Sequence, residues 1–136
     1  MEDIIITKYR GGDQGEVLAL YEDAGWVNYT RNPVMLKCAW ENSLAVYAAY
    51  KGKALIGACR LVGDGYSVIV IQDILVIGQY QGQGIGSKLL KEALKDYENV
   101  YQKLLLTDDA PGNAAFYEKA GFKDVGGYGM RAYIRL

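Results

Sequence analysis

The sequence predicts an α/β (α+β) fold in which helices flank a mixed, mostly antiparallel sheet. Three β-rich runs are separated by the turn signals Lys51-Gly52-Lys53 and Gly63-Asp64-Gly65, which favours consecutive antiparallel strands. After them, a strand, a glycine-rich loop, a helix and a further strand follow in that order. Such a unit predicts a parallel strand pair, because a helical crossover returns the chain to the same end of the sheet.

The first part of the chain predicts one strand and two helices. Ile4-Ile5-Ile6 is a β-branched run that indicates the first strand. Asp13 stands three residues before Glu16, which is the spacing of a capping box and predicts a helix that ends near Ala24-Gly25. Asn32-Pro33 indicates the start of the second helix, because Asn caps helices and Pro suits the first helical position.

The three β-rich runs span 44–50, 54–61 and 67–77. If the second hairpin sets Leu61 opposite Ser67, then Arg60 lies well along the strand from Asp73. An ion pair between Arg60 and Asp73 is therefore not expected from the sequence.

The second half of the chain predicts two helices and two strands. Apolar residues recur at helical spacing from Ile85 to Tyr97, which predicts a helix that packs on the sheet. The apolar run at 101–107 predicts a buried strand that is parallel to the strand before the glycine loop. Residues 114–120 predict a short helix closed by Gly121, and the alternation over 130–136 predicts a half-buried final strand.

Composition limits the possible classes of function. With 136 residues, the chain is expected to form a single domain over 1–136. A formal net charge of -1 carries no excess of Lys and Arg, so nucleic acid is not an expected partner. No apolar run reaches the roughly 18 residues of a membrane span, and the first residues lack a signal-peptide core, so a cytoplasmic chain is expected. The absence of histidine argues against Ser-His-Asp catalysis and against a zinc site.

The glycine-rich loop at 81–86 has the pattern of an anion-binding site. Its glycines let consecutive backbone N–H groups turn toward one point, and the following helix adds the partial positive charge of its N-terminus. A Rossmann site is disfavoured, because the position about 20 residues after Gly82 is Gln102 and not an acid. The order Gly86-Ser87-Lys88 does not match a Walker loop. A glycine turn that binds no ligand remains an alternative.

Two stretches carry a resemblance to a known family. Gln81-x-x-Gly84-x-Gly86, preceded by an apolar strand and Tyr80, resembles motif A of the GNAT superfamily of acetyl-CoA-dependent N-acetyltransferases. Residues 113–122, NAAFYEKAGF, resemble the later helix motif of that superfamily. Together the two motifs and the elements around them cover about half of the chain.

The resemblance implies a GNAT fold with splayed parallel central strands and acetyl-CoA as co-substrate. The pyrophosphate would accept hydrogen bonds from the backbone amides of Gln81, Gly82, Gln83, Gly84, Ile85, Gly86 and Ser87. The pantetheine arm would run along Leu75, Val76 and Ile77, where the N–H of Leu75 or Val76 would serve as an oxyanion donor. Asn113 by family position would hydrogen-bond the pantetheine, and Phe116 would line its wall.

The candidate catalytic residues are Tyr117 and Asp73. Tyr117 matches the family tyrosine that protonates the leaving thiolate; the alternative is helix packing beside Phe116. Asp73 lies in an apolar run on the same strand face as Leu75, which suggests a general base; the alternative is that its carboxylate pairs with a neighbouring group. Other routes for the proton are Glu22, Asp23 and a water chain.

The candidate acceptor residues are Trp26, Tyr29 and Arg31, which lie between the first two helices, where the family decides acceptor specificity. The alternative for these residues is a hydrophobic clamp between helices. Cys38 and Cys59 are expected to pack in the core, because no histidine can activate them.

The resemblance therefore implies transfer of an acetyl group from acetyl-CoA to a primary amine, a small molecule or a peptide, by direct attack. The alternative function is a non-catalytic acyl-CoA-binding or sensing module. A homodimer is common in the family.

Overall fold

The computed structural model describes residues 3–136. Its strands are β1 (Ile4–Lys8), β2 (Ala45–Lys51), β3 (Ala54–Gly63), β4 (Val68–Val76) and β5 (Gln102–Leu105). Its α-helices are α1 (Gln14–Ala24), α2 (Val27–Thr30), α3 (Pro33–Glu41), α4 (Ile85–Asp96) and α5 (Asn113–Lys119). Single 3₁₀ turns form at Gly78–Tyr80 and Val125–Tyr128.

The chain forms two compact units. The first extends to Leu106 and contains the five strands and α1 to α4. The second, Thr107–Leu136, contains α5 and the second 3₁₀ turn. A single domain over the whole chain stays a prediction. In the described part of the chain, no helix is long and apolar enough to cross a membrane.

The sheet has the order β1-β2-β3-β4-β5, with antiparallel neighbours from β1 to β4 and a parallel pair between β4 and β5. This confirms the predicted mixed, mostly antiparallel sheet and its parallel pair. The pair lies at the edge of the sheet, however, and not at its centre, because β5 is the last strand.

The predicted final strand is the main error in the fold. Residues 130–136 form no strand in the structure, and their side chains, including Ile134 and Leu136, are exposed. Apolar alternation favours a strand only where a partner can complete the ladder. The second unit holds no other strand among its described residues.

The predicted helix caps are largely confirmed. The Asp13 side chain accepts a hydrogen bond from Gly15 N, and Gly25 ends α1 with a φ of 74°. Asn32 accepts a hydrogen bond from Met35 N, and Pro33 occupies the first position of α3. The reciprocal bond of the capping box is not made.

α1 and α3 pack on one face of the sheet and α4 packs on the other. The first face has a core of buried side chains: Val17, Leu20, Tyr21, Leu36, Trp40, Ala48, Tyr50, Leu55, Ala58 and Leu75. On β2, Ala48 and Tyr50 belong to this core, whereas the alternate residue Tyr47 donates a hydrogen bond to Asp96 of α4. α4 buries the apolar stripe that the sequence predicts, with Ile85, Leu89, Leu90 and Ala93 on its sheet side.

Candidate functional site

β4 and β5 separate halfway along β4. Their parallel pairing runs from Val68 opposite Gln102 to Ile71 opposite Leu105, and it stops there. β4 continues to Val76, so residues 72–76 have no β5 partner. This is the splay of the parallel strands that the family resemblance predicts. It leaves a stretch of strand with unused hydrogen-bonding groups on one side.

The register of β4 shows which groups face the splay. Ile77 N donates to Ile56 O at 2.9 Å, so hydrogen-bonded pairs with β3 fall at every second residue of β4. The N–H of Leu75 belongs to such a pair and points toward β3. The N–H and C=O groups of Val76, in contrast, point away from β3, to the side that β5 leaves open. There the Val76 carbonyl accepts a hydrogen bond from Gln81 Nε2 at 2.9 Å. Of the two residues, Val76 therefore has its N–H on the side of the splay, and its role as an oxyanion donor stays a prediction.

The glycine loop opens directly into α4. Gly82 and Gly84 have φ values of 79° and 80°, in the left-handed region that favours glycine. Gly84 is the N-cap of α4, and no side chain caps this end of the helix. The first backbone N–H groups of α4, those of Ile85, Gly86 and Ser87, therefore have no intrahelical acceptor. Together with the helix dipole, these donors suit an anion. The N–H of Gln81 instead donates to Gly78 O at 3.1 Å, and the binding of a pyrophosphate at this loop stays a prediction.

A β-bulge brings Asp73 and Arg60 together. Arg60 lies opposite Asp73 and Leu61 lies opposite Ile71, so Gln72 has no partner on β3. The expected register, with Leu61 opposite Ser67, is therefore wrong. The expectation that Arg60 and Asp73 do not pair is also wrong: Arg60 Nε lies 2.7 Å from Asp73 Oδ2.

The physical reason for this error is the position of the β3–β4 turn. Asp64 accepts hydrogen bonds from the backbone N–H groups of Tyr66, Ser67 and Val68, and from the Ser67 hydroxyl. The Ser67 hydroxyl and these backbone donors hold the pKa of Asp64 well below its ordinary value. These bonds place the turn at 64–67, further along the chain than the expected turn at 63–65, and this shifts β4 along β3.

Asp73 and Arg60 belong to a buried polar network. Their residues are only 4% and 5% exposed. Asp73 Oδ2 also accepts a hydrogen bond from the Tyr21 hydroxyl at 2.6 Å, and that hydroxyl accepts one from Trp40 Nε1 at 2.9 Å. Burial, followed by the charge of Asp73, raises the pKa of Tyr21 above its ordinary value. Tyr21 is therefore a neutral donor that helps to hold the carboxylate.

The guanidinium of Arg60 extends this network to α2. Its Nη1 donates to Ser43 Oγ and its Nη2 donates to the Tyr29 hydroxyl, each at 3.3 Å. No motif in the sequence assigns Tyr21, Trp40 or Ser43 to the site. The only available signal was chemical, because buried Tyr and Trp side chains need partners for their polar atoms.

Two of the three predicted acceptor residues lie together. The Trp26 and Tyr29 rings are 6.3 Å apart with an interplanar angle of 35°, and both contact the ring of Tyr21. Trp26 is 37% exposed and Tyr29 is half-buried, so this aromatic pair can be reached from solvent. Arg31 instead donates to Asn28 Oδ1 at 2.8 Å on the exposed side of α2.

The remaining carboxylates near this region differ in their contacts. Asp23 Oδ2 accepts a hydrogen bond from Gly78 N at 2.9 Å, which ties the end of α1 to the residues that follow β4. Glu22 is exposed. The Glu22 carboxylate is therefore accessible to a cationic ligand.

In the second unit, α5 carries the other predicted site residues. Asn113 Nδ2 donates to Asp108 Oδ1 at 2.7 Å and to Thr107 Oγ1 at 3.1 Å, so its amide organises the loop before α5. The Tyr117 ring packs edge-on against Phe116 and Phe122, at centroid distances of 5.0 and 6.1 Å. The predicted roles of Asn113, Phe116 and Tyr117 toward a cofactor or substrate stay predictions.

The two cysteines differ. Cys59 is fully buried on β3, as expected, and burial raises the pKa of its thiol to about 12. Cys38 is exposed on α3, so the expectation that it packs in the core is wrong. It lies on the solvent side of a helix that buries Leu36 and Trp40 on its other side.

Comparisons with known proteins agree on one family. The family model described as an acetyltransferase (GNAT) domain matches residues 41–124. The structure of a GNAT family acetyltransferase from Streptococcus pneumoniae TIGR4 is 40% identical, covers 98% of each chain and has a TM-score of 0.89. That of a GNAT family acetyltransferase from Elizabethkingia anophelis with acetyl-CoA bound is 26% identical, with a TM-score of 0.66 over 88% of this chain and 76% of that one.

A curated relative supports the same family. It is the protein from Gracilaria tenuistipitata var. liui that is named uncharacterized N-acetyltransferase ycf52, and it is 33% identical over 110 residues. The match covers 76% of this chain but only 58% of the relative's length. The chain thus spans less than two thirds of that protein.

Proposed function

The chain belongs to the GNAT acetyltransferase family, and we propose that it moves an acetyl group from acetyl-CoA to a primary amine by direct attack. The acceptor is a small-molecule or peptide amine. A cytoplasmic location and a homodimer stay predictions from the sequence and from the family.

The observation that carries this proposal is the continuity of three features in the first unit. β4 separates from β5 after Ile71, the N–H of Val76 points to the side that β5 leaves open, and the glycine loop with the uncapped α4 follows within ten residues. An extended, amide-containing arm can pair with the open strand, and a pyrophosphate can accept hydrogen bonds from the start of α4. CoA has both parts in this order.

The residues of the chain suit the charge that develops in acyl transfer. The N–H of Val76 faces the splay, where it can donate to the thioester oxygen as that oxygen gains negative charge. The leaving thiolate needs a proton, and we assign Tyr117 as the donor on the basis of its family position. A tyrosine with a pKa of about 10 is protonated at neutral pH.

The acceptor amine must lose a proton before it attacks. For an alkylamine with a pKa near 10.4, deprotonation at pH 7 costs roughly 4 to 5 kcal/mol. Asp73 is buried, and its Oδ2 already accepts hydrogen bonds from Arg60 and Tyr21, so as a base it would act through Oδ1. A water chain and the exposed Glu22 are the other routes. The network around Asp73 supports the alternative in which this carboxylate mainly pairs with its neighbours.

Binding and turnover can be tested in sequence. Calorimetry with acetyl-CoA should show binding, and a variant with Gly84→Val should bind much more weakly, because a β-branched residue opposes a φ of 80° at the N-cap of α4. Turnover is then measured as free CoA released with tyramine, spermidine, kanamycin and a peptide with a free N-terminus and a lysine. Binding with no release beyond the rate without amine would favour the sensing module, and no binding at millimolar acetyl-CoA would contradict the proposal.

A further inference from the structure

The buried network has a second end that the proposed chemistry does not use. Asp73 lies on the strand that borders the splay, whereas Tyr29 lies on α2, in the solvent-accessible aromatic pair with Trp26. Arg60 is the residue that joins these ends, since it donates to both side chains from β3. A substitution of Arg60 should therefore alter the position of the aromatic pair.

We propose that Arg60 is a positioning residue of the acceptor site, and that it fixes the aromatic wall formed by Trp26 and Tyr29. The inference rests on the proposed acetyl transfer to an amine. In it, Tyr29 contacts the acceptor, Arg60 orients Tyr29, and the carboxylate of Asp73 orients Arg60.

The shape of α2 explains why the wall needs this support. α2 has only four residues, and its N-cap makes no side-chain hydrogen bond. A helix this short is not stable through its own backbone bonds and depends on tertiary contacts. Outside α2 and its N-cap, Tyr29 contacts the ring of Tyr21 at 4.9 Å and the guanidinium of Arg60. The guanidinium donates to the Tyr29 hydroxyl and lies 6.0 Å from the Tyr29 ring centroid.

A guanidinium suits this position better than an ammonium. The Nε, Nη1 and Nη2 atoms of Arg60 donate in three directions, to β4, to the segment before β2 and to α2. Lysine would keep a positive charge beside Asp73, but a single ammonium on a flexible chain cannot hold all three partners in one plane. Arg60→Lys therefore separates the charge of the pair from its positioning role.

The wall also suits an amine. Aromatic faces attract cations. The wall is open to solvent on one side, and on the other side it packs against the buried Tyr21 and Arg60. The charge of Arg60 is balanced by Asp73 at 2.7 Å, so the guanidinium adds little net repulsion toward a cationic acceptor. The acceptor class that fits is an amine whose carbon body or ammonium packs on an aromatic face.

The test uses Tyr29→Phe, Arg60→Lys and the matched control Tyr50→Phe. Tyr50 belongs to the same core against which the half-buried Tyr29 packs, but the Tyr50 hydroxyl accepts a hydrogen bond from Arg10 N and not from Arg60. Kinetics use the amine of the panel above with the highest turnover. Tyr29→Phe and Arg60→Lys should each raise the acceptor KM by about threefold to tenfold, the value of one hydrogen bond, while the Kd of acetyl-CoA stays within twofold. Tyr50→Phe should leave both constants unchanged.

The double variant Arg60→Lys/Tyr29→Phe should raise the acceptor KM no more than the larger single change, because both substitutions remove the same hydrogen bond.

A second readout needs no ligand. The chain has two tryptophans, so 5-fluorotryptophan labelling gives two ¹⁹F signals, which a Trp26→Phe variant assigns. Arg60→Lys should shift or broaden the Trp26 signal, and Tyr50→Phe should not.

Three results would overturn the inference: an unchanged Trp26 signal in Arg60→Lys, an unchanged acceptor KM in Tyr29→Phe, or an equal rise of that KM in the Tyr50→Phe control. These are distinct from a failure of the proposed function, which would appear as no acetyl-CoA binding or no turnover by the unaltered protein.

Discussion

The buried ion pair makes a quantitative prediction for Arg60→Met. The side chains of Arg60 and Asp73 are 6% and 3% exposed, so the substitution leaves a carboxylate in the core with only Tyr21 as a donor. Removing one partner of a buried pair destabilises proteins by about 3 to 5 kcal/mol. For a chain of this length that loss corresponds to a fall in Tm of roughly 10 to 20 °C. Urea unfolding followed by tryptophan fluorescence measures the loss in the free energy of unfolding, and Trp40, which lies in the network itself, reports on it.

The double variant Arg60→Met/Asp73→Leu is the control for charge. It removes both ions, so no charge is left uncompensated, and it should recover most of the lost stability. A loss of less than about 1 kcal/mol in the free energy of unfolding of Arg60→Met, the range of an exposed ion pair, would contradict this account of the buried pair. A double variant that is less stable than Arg60→Met would contradict it as well.

Three further predictions concern the glycine loop, α5 and the cysteines. Gly84→Val should raise the Kd of acetyl-CoA at least tenfold in calorimetry, whereas Gly52→Val, at a φ of 60° in the β2–β3 turn, should strain the backbone similarly and leave the Kd unchanged. Tyr117→Phe should lower kcat by about 100-fold or more, with acetyl-CoA affinity retained, and an unchanged kcat would exclude Tyr117 as the acid. At pH 8 a thiol reagent should label Cys38 alone in the folded protein, because Cys59 is buried with a pKa raised to about 12; labelling of both would contradict this burial.

Local signals in the sequence predicted those elements that local physics determines. Asp13 and Asn32-Pro33 mark the starts of α1 and α3, because a cap acts within one turn of its helix. The glycine loop is equally local, since its left-handed backbone at Gly82 and Gly84 requires those residues. The resemblance at 81–86 and 113–122 then supplied the family.

The register between β3 and β4 could not be predicted in this way. It depends on the loop that Asp64 organises and on the bulge at Gln72, and both are settled by hydrogen bonds that a pattern of apolar residues does not encode. The partner of Asp73 was missed for this reason. The final strand failed for a related one, because the alternation over 130–136 describes two faces but supplies no neighbouring strand.

The most direct test of acetyl transfer measures both products in one reaction. The unaltered protein is incubated with acetyl-CoA and each amine of the panel, and free CoA and acetylated amine are quantified together by mass spectrometry. The proposed function predicts equal amounts of CoA and acetylated amine for at least one acceptor, at a rate proportional to protein concentration. Acetyl-CoA that binds and remains intact with every amine, or that is not bound at all, would contradict it.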